Sequence, residues 1–219
     1  MTDIAVIFDM DGVIADTNPT HLVAWREYLG HHNIEVSDQD LIENMYGKAN
    51  SAIMEYFFKR KMERAEFDQK QYEKEALFRK LYEPIAQPLE GLLAFIADLK
   101  ANGVKTGIAT SAPIENLDLI LNQIPLKQSM DSLMANQDVV YHKPHPEVYI
   151  TTAQRLGIAP ERCVVFEDSF SGITAGLAAG AKVVGVLTSH QPHELPICHA
   201  YIADYKSIDY DFIKKLVKK

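Results

Sequence analysis

Cysteine is scarce in this chain, with two residues among 219, Cys163 and Cys198. Two are too few for a disulfide framework, and Cys163 opens an apolar run, so both read as ordinary thiols and Cys163 as a small buried hydrophobe. A basic excess is also missing. Twenty-two Lys and Arg stand against 30 Asp and Glu, for a formal net charge of -8. That balance argues against a nucleic-acid binder, which needs positive surface to displace counterions. It leaves room for a small phosphorylated molecule, for which a few local cations and a metal suffice. No stretch approaches the ~20 apolar residues of a membrane span. Met1-Thr2-Asp3 offers no basic n-region, and the apolar run behind it stops at Asp9, so no signal peptide is expected and the expected compartment is cytoplasmic. Repeats and low-complexity segments are absent. What remains is an ordinary globular composition, 47% apolar and 24% charged. The length suits one large domain or a core with a small insertion, and the default expectation is a monomer.

Ile4-Ala5-Val6-Ile7-Phe8 is short, continuous and rich in β-branched residues, the pattern of a parallel strand covered on both faces. Similar runs recur at Lys105–Ala109, Cys163–Phe166 and Lys182–Leu187, with a weaker one at Tyr201-Ile202-Ala203. Helical spacing appears over Leu92–Leu99, closed by Asn102-Gly103, and over Pro146–Leu156, closed by Gly157. Alternating strands and helices predict an α/β fold with a doubly wound parallel sheet. Residues 16–87 break the rhythm. They hold no convincing strand, and Glu55–Glu83 is dense in charge and aromatics, as exposed amphipathic helices are. The expected organisation is a core of 1–15 and 88–219 with a helical insertion at 16–87.

Four segments fall at the carboxyl ends of expected strands, the edge where open α/β sheets bind ligands. Asp9-Met10-Asp11-Gly12 places two carboxylates two residues apart, on one side of an extended chain, beside a glycine that permits a sharp turn. One carboxylate can attack while the other handles a proton. Thr110-Ser111-Ala112 offers hydroxyls and backbone N–H groups to an oxyanion. Lys143 is a cation for a phosphate or for the nucleophile, and Glu167-Asp168 is a second acidic pair. Singly, each has a plain structural explanation as a cap, a turn or a surface residue. Together, acidic residues gathered from two strands repel one another unless a cation sits among them. Oxygen ligands without His or Cys suit a hard ion, Mg²⁺ in particular. A metal, a lysine and hydroxyls around a carboxylate nucleophile make a phosphoryl-transfer site.

The ordered set Asp9-Met10-Asp11-Gly12-Val13, Thr110-Ser111, Lys143-Pro144, Phe166-Glu167-Asp168-Ser169 with Gly172-Ile173, and Ala178-Ala179-Gly180-Ala181 resembles the haloacid dehalogenase-like superfamily. Within it, the chain is similar to the β-phosphoglucomutases and small-metabolite phosphatases. The resemblance covers nearly the whole chain. It implies a Rossmann-like core, an α-helical cap that closes over the site, and Mg²⁺. It implies Asp9 as the nucleophile forming an aspartyl-phosphate, and Asp11 as general acid and then base. It further implies Ser111, Ala112 and Lys143 as phosphate-binding groups, with Asp9, Asp11, Glu167 and Asp168 around the metal. The dehalogenases lack the second Asp of the first motif, so Asp11 favours phosphoryl transfer.

Hydrolase and mutase share the aspartyl-phosphate and differ in whether water or a sugar hydroxyl attacks it. The cap loop Tyr46-Gly47-Lys48-Ala49-Asn50 has Asn50 where β-phosphoglucomutases carry Arg, and Pro113-Ile114-Glu115 stands where they have Ser-Lys-Asn. Glu115 would repel a second phosphate, while Lys48 compensates in part. His21, Gly47 and Lys48 are the expected substrate-side residues of the cap, and Trp25 is expected to pack. The reading is a phosphatase acting on a small phosphorylated metabolite, with a sugar phosphate first among candidates. A β-phosphoglucomutase-type mutase is the alternative. A regulatory protein on an enzyme fold is disfavoured because Asp9, Asp11 and the acidic pair are all present. His142-Lys143-Pro144-His145 and His190-Gln191-Pro192-His193 mimic metal-ligand pairs, but proline interrupts each, so both read as loop histidines.

Overall fold

The run expected as the first strand is buried throughout and forms β1 (Ala5–Phe8) in the computed structural model, which describes residues 3–45 and 50–218. It is followed by α1 (Asn18–His31), α2 (Asp38–Met45), α3 (Asn50–Phe58) and α4 (Arg64–Tyr82). Then come α5 (Leu92–Ala101), β2 (Lys105–Ala109), α6 (Ile114–Gln123), β3 (Ser132–Met134), α7 (Glu147–Leu156) and β4 (Cys163–Glu167). The chain finishes with α8 (Phe170–Ala178), β5 (Lys182–Val186), β6 (Ala200–Ile202) and α9 (Tyr210–Lys218). β3 has no counterpart in the sequence reading. It is three residues long and lies at the sheet edge, too short to leave a periodic signal.

The strands make one parallel sheet in the order β3-β2-β1-β4-β5-β6. This is a doubly wound, Rossmann-like order, and its direction reverses between β1 and β4, where such sheets bind ligands. Both faces are covered. α7 and α8 pack on one side, where Ala5, Ile7, Val165, Val183 and Tyr149 share a cluster. α5 and α9 pack on the other. There Phe8, Phe166, Phe95 and Tyr205 meet, with ring centroids 5.4–6.3 Å apart. The alternation of Ile7 and Phe8 between two cores is the strand period of two made visible. Burying each such side chain contributes about 1.5–3 kcal/mol, which is what holds the carboxyl end of β1 in place.

The chain divides into two compact units, Met1–Asp16 with Gln87–Lys219, and Thr17–Ala86. The second is helical. Trp25, Tyr28, Leu29, Leu41, Ile53, Met54 and Phe57 form its core, with α1 packed on α4 and α2. Trp25 is a packing residue there, as expected. The charge-rich stretch is α3 and α4, with exposed pairs such as Arg64–Asp68. Among the described residues no helix is long and apolar enough to cross a membrane.

Candidate active site

Register decides what meets at the carboxyl edge. Phe8 of β1 lies beside Ile108 of β2 and Phe166 of β4, and the ladder runs one residue further, with Asp9 N–H donating to Phe166 carbonyl at 3.0 Å. Asp9 is therefore placed next to Glu167 on one side and Ala109 on the other. Gly12 turns the chain with φ 72°, a conformation that favours glycine, and its N–H closes the turn onto the Ala15 carbonyl at 2.8 Å. Asp11, half-buried, lies in that turn.

Lys143 reaches this edge from the loop before α7. Its Nζ donates to Asp9 Oδ1 at 2.5 Å, to Glu167 Oε1 at 2.7 Å and to the Ala109 carbonyl at 3.2 Å. The ammonium also lies 4.9 Å from the Tyr149 ring centroid. Its side chain is 5% exposed. Burial alone would drive the ammonium toward neutrality, but the carboxylates of Asp9 and Glu167 outweigh it and raise its pKa, so it stays charged.

Glu167 is enclosed by donors. Oε1 accepts from Lys143 and from the Tyr149 hydroxyl at 2.8 Å. Oε2 accepts from the Asp168 N–H at 3.0 Å, the Ser169 N–H at 3.1 Å and the Ser169 hydroxyl at 3.0 Å. Ser169 Oγ in turn accepts from the Gly172 N–H at 3.0 Å and so caps α8. Gly172 leaves the room this requires, because a Cβ there would stand 1.6 Å from Glu167 Oε1. The Asp168 carboxylate accepts from the Ser189 hydroxyl at 2.7 Å.

Asp9, Glu167 and Asp168 are buried, and each brings an oxygen within 4.8 Å of the others. Burial pushes the Asp9 carboxyl well up, and Glu167, Asp11 and Asp168 add to that against the opposing pull of Lys143. Burial also raises Asp168 to about 7, helped by Glu167. Among the described residues these carboxylates share one lysine, so the cradle carries an electrostatic deficit of positive charge. An all-oxygen donor set with that deficit can hold a hard divalent cation.

Ser111 is exposed after β2 and Thr110 is buried. The Ala112 N–H, expected to face a phosphate, donates here to Thr110 Oγ1 at 3.0 Å. In the helical unit, His21 Nδ1 is 2.8 Å from Lys74 Nζ, and its ring stacks on Phe78 at 3.7 Å. Lys74 Nζ donates to Glu75 Oε1 at 2.9 Å, and the Asn50 amide donates to the same oxygen at 2.8 Å. Gly47 and Lys48 lie outside the described residues. Sequence reasoning missed Lys74, Glu75, Tyr149 and Ser189, and quoted Ser169 without a role. Tyr149 and Ser189 are ordinary helix and loop residues until the sheet brings Glu167 and Asp168 near, and Lys74 and Glu75 until the helical unit brings His21 and Asn50 near.

A sequence model described as haloacid dehalogenase-like hydrolase matches residues 6–186. The fructose-1-phosphate phosphatase of Escherichia coli K12 is 35% identical over 190 residues, covering 83% of this chain and 95% of that protein. Among solved structures, a haloacid dehalogenase hydrolase of family IA, variant 3, from Entamoeba histolytica superposes with a TM-score of 0.93 at 25% identity, covering 99% of this chain and 100% of that one. A β-phosphoglucomutase from Clostridium difficile gives 0.85 at 25% identity, covering 100% and 98%. From the motifs, the sheet order and these likenesses together, the chain belongs to the haloacid dehalogenase-like hydrolases, as a phosphoryl hydrolase or transferase.

Proposed function

We propose that this chain is a Mg²⁺-dependent phosphatase that hydrolyses a small sugar phosphate through an aspartyl-phosphate on Asp9. The observation that carries it is the Lys143 ammonium held between Asp9 and Glu167 at a buried carboxylate cluster. It fixes the plane of the Asp9 carboxylate and opposes the rise that burial imposes on its pKa. In the first step an Asp9 oxygen bonds to phosphorus, the bond to the leaving oxygen breaks, and Asp11 gives that oxygen a proton. In the second, Asp11 takes a proton from water as the water oxygen bonds to phosphorus, and Asp9 is released. Lys143 and Ser111 hold the phosphoryl oxygens throughout.

Asp9, Asp168 and the Asp11 carbonyl are the groups assigned to Mg²⁺, which supplies charge neutralisation for the phosphoryl group and the attacking carboxylate. Glu167 already accepts five hydrogen bonds, which favours contact with the ion through water. His21, with the polar cluster around it, is assigned to substrate selection.

Hydrolysis is favoured over mutase chemistry by the residues around Asn50. Where a mutase carries a cation, this chain has an amide already spent on Glu75, and Glu75 neutralises Lys74. Glu115 adds a further negative charge. Phosphorus NMR with Mg²⁺, β-glucose 1-phosphate and a trace of the 1,6-bisphosphate tests this. Inorganic phosphate is the expected product, and accumulation of glucose 6-phosphate would overturn the assignment in favour of the mutase.

The pH dependence of metal binding follows from the buried carboxylates. An unfolded Asp titrates near ~3.9, whereas Asp168 in the folded, metal-free chain titrates at about 7. Between those values the folded state holds the extra proton. The contribution of Asp168 to metal-free stability therefore falls as pH rises through that window. Mg²⁺ must displace the proton, so its affinity rises over the same range. The gain in melting temperature on adding Mg²⁺ is expected to be larger at pH 8 than at pH 5.5. A gain independent of pH would remove Asp168 from the metal site.

A further inference from the structure

The carboxyl end of β5 brings three consecutive polar side chains to the acidic edge. β5 pairs with β4 so that Gly185 lies beside Glu167, and the Leu187 N–H donates to the Ile202 carbonyl at 2.8 Å, which holds the exit of the strand. The next residue, Thr188, donates its hydroxyl to the Gly12 carbonyl at 2.7 Å. Ser189 donates to Asp168 Oδ2 at 2.7 Å. His190 Nδ1 stands 3.2 Å from the Asp168 carbonyl, a contact that requires the proton on Nδ1. One neighbour thus grips the turn that follows Asp11, and the other two grip Asp168 by its side chain and its backbone.

We infer that Thr188-Ser189-His190 is a fifth segment of the site, a clamp in which Ser189 is a positioning residue that aims the Asp168 carboxylate at the cation. The inference rests on the reading of Asp168 as a Mg²⁺ ligand. A hydroxyl fixed on one carboxylate oxygen sets the plane of the group and hence the direction of the other oxygen. It does so without adding positive charge, so it orients the ligand and does not compete with the ion. The Thr188 hydroxyl does the same for the backbone turn that carries the Asp11 carbonyl. The division of labour in the cradle is then clear. Lys143, Tyr149 and Ser169 saturate Glu167, while the residues after β5 orient Asp168.

The test uses Mn²⁺ as the probe, with free aquo-ion followed by electron paramagnetic resonance during titration of the full chain. Losing an outer contact of this kind weakens metal affinity by roughly 10- to 100-fold. Ser189→Ala is expected to raise the Mn²⁺ Kd by about tenfold at the low end of that range, with the melting temperature of the metal-free protein little changed. Ser189→Thr, which keeps the hydroxyl, is expected to stay near the parent value. In turnover, the Ser189→Ala variant is expected to need more Mg²⁺ for half-maximal rate while recovering most of its kcat at saturation. A parent chain that binds Mn²⁺ stoichiometrically and a Ser189→Ala variant that binds it equally well would overturn the inference and leave the proposed function standing. A parent chain that binds no Mn²⁺ would overturn both.

Discussion

Asp9→Asn is expected to lower kcat by roughly 10⁴- to 10⁶-fold, the scale on which enzymes lose turnover when a covalent nucleophile or its partner is removed. The amide keeps the shape of the carboxylate but cannot attack phosphorus, and the two buried neighbouring acids are already engaged. Asp168 is held by Ser189, and Glu167 is enclosed by five donors. The fold should survive, because Lys143 retains its bond to Glu167 and one buried carboxylate is neutralised. Melting in EDTA is accordingly expected at or above the parent temperature. Steady-state rates, together with acid-quenched trapping of labelled protein, separate loss of chemistry from loss of fold. Turnover of the same order as the parent would mean that another group accepts the phosphoryl.

The second large effect is on stability. Lys143→Met removes an ammonium that touches both Asp9 and Glu167 and replaces it with a side chain of similar length. Breaking a buried pair by deleting one partner costs about 3–5 kcal/mol, because the other charge is left without compensation. The loss is expected in full at pH 8 in EDTA. It should be smaller at pH 5.5, because burial raises the pKa of the Asp9 carboxyl and so favours its neutral form as pH falls. Urea unfolding at the two pH values measures it. A cost below about 1 kcal/mol would put this lysine on a par with a surface ion pair and undercut its role in fixing the nucleophile.

The core strands were legible because a parallel sheet buried on both faces needs continuous apolar runs, and Ile4–Phe8, Lys105–Ala109 and Cys163–Phe166 are such runs. β3 was not, since three residues at an edge carry no period. Asp9, Asp11, Lys143, Glu167 and Asp168 stood out because chemistry restricts residue type at strand ends. Tyr149 was hidden for the opposite reason. Its ring serves the core between α7 and the sheet, and only its hydroxyl, donated to Glu167, belongs to the edge. Ser189 was hidden because its partner is 21 residues away, just past the end of another strand, and no local pattern announces that contact. His190 was set aside as a loop histidine on the evidence of a proline, which bears on helix geometry and is silent about a backbone carbonyl. In the helical insertion, Lys74 and Glu75 sat inside a stretch whose charge signals solvent exposure, yet both are buried.

On the core side, the two stretches of chain that lead into the insertion are bonded to each other. The Leu89 N–H donates to the Ile14 carbonyl at 2.8 Å, so the outgoing and returning chains are stitched to each other. Tyr205 ties both down, its hydroxyl to the Val13 carbonyl at 3.1 Å and its N–H to the Glu90 carbonyl at 2.9 Å. The Rossmann-like body therefore has a closed seam at the point where a foreign segment enters. These bonds all lie within the core, so they do not depend on which chain is spliced between Asp16 and Gln87. Such a seam lets the inserted segment vary by descent while the sheet and its acidic edge are inherited intact.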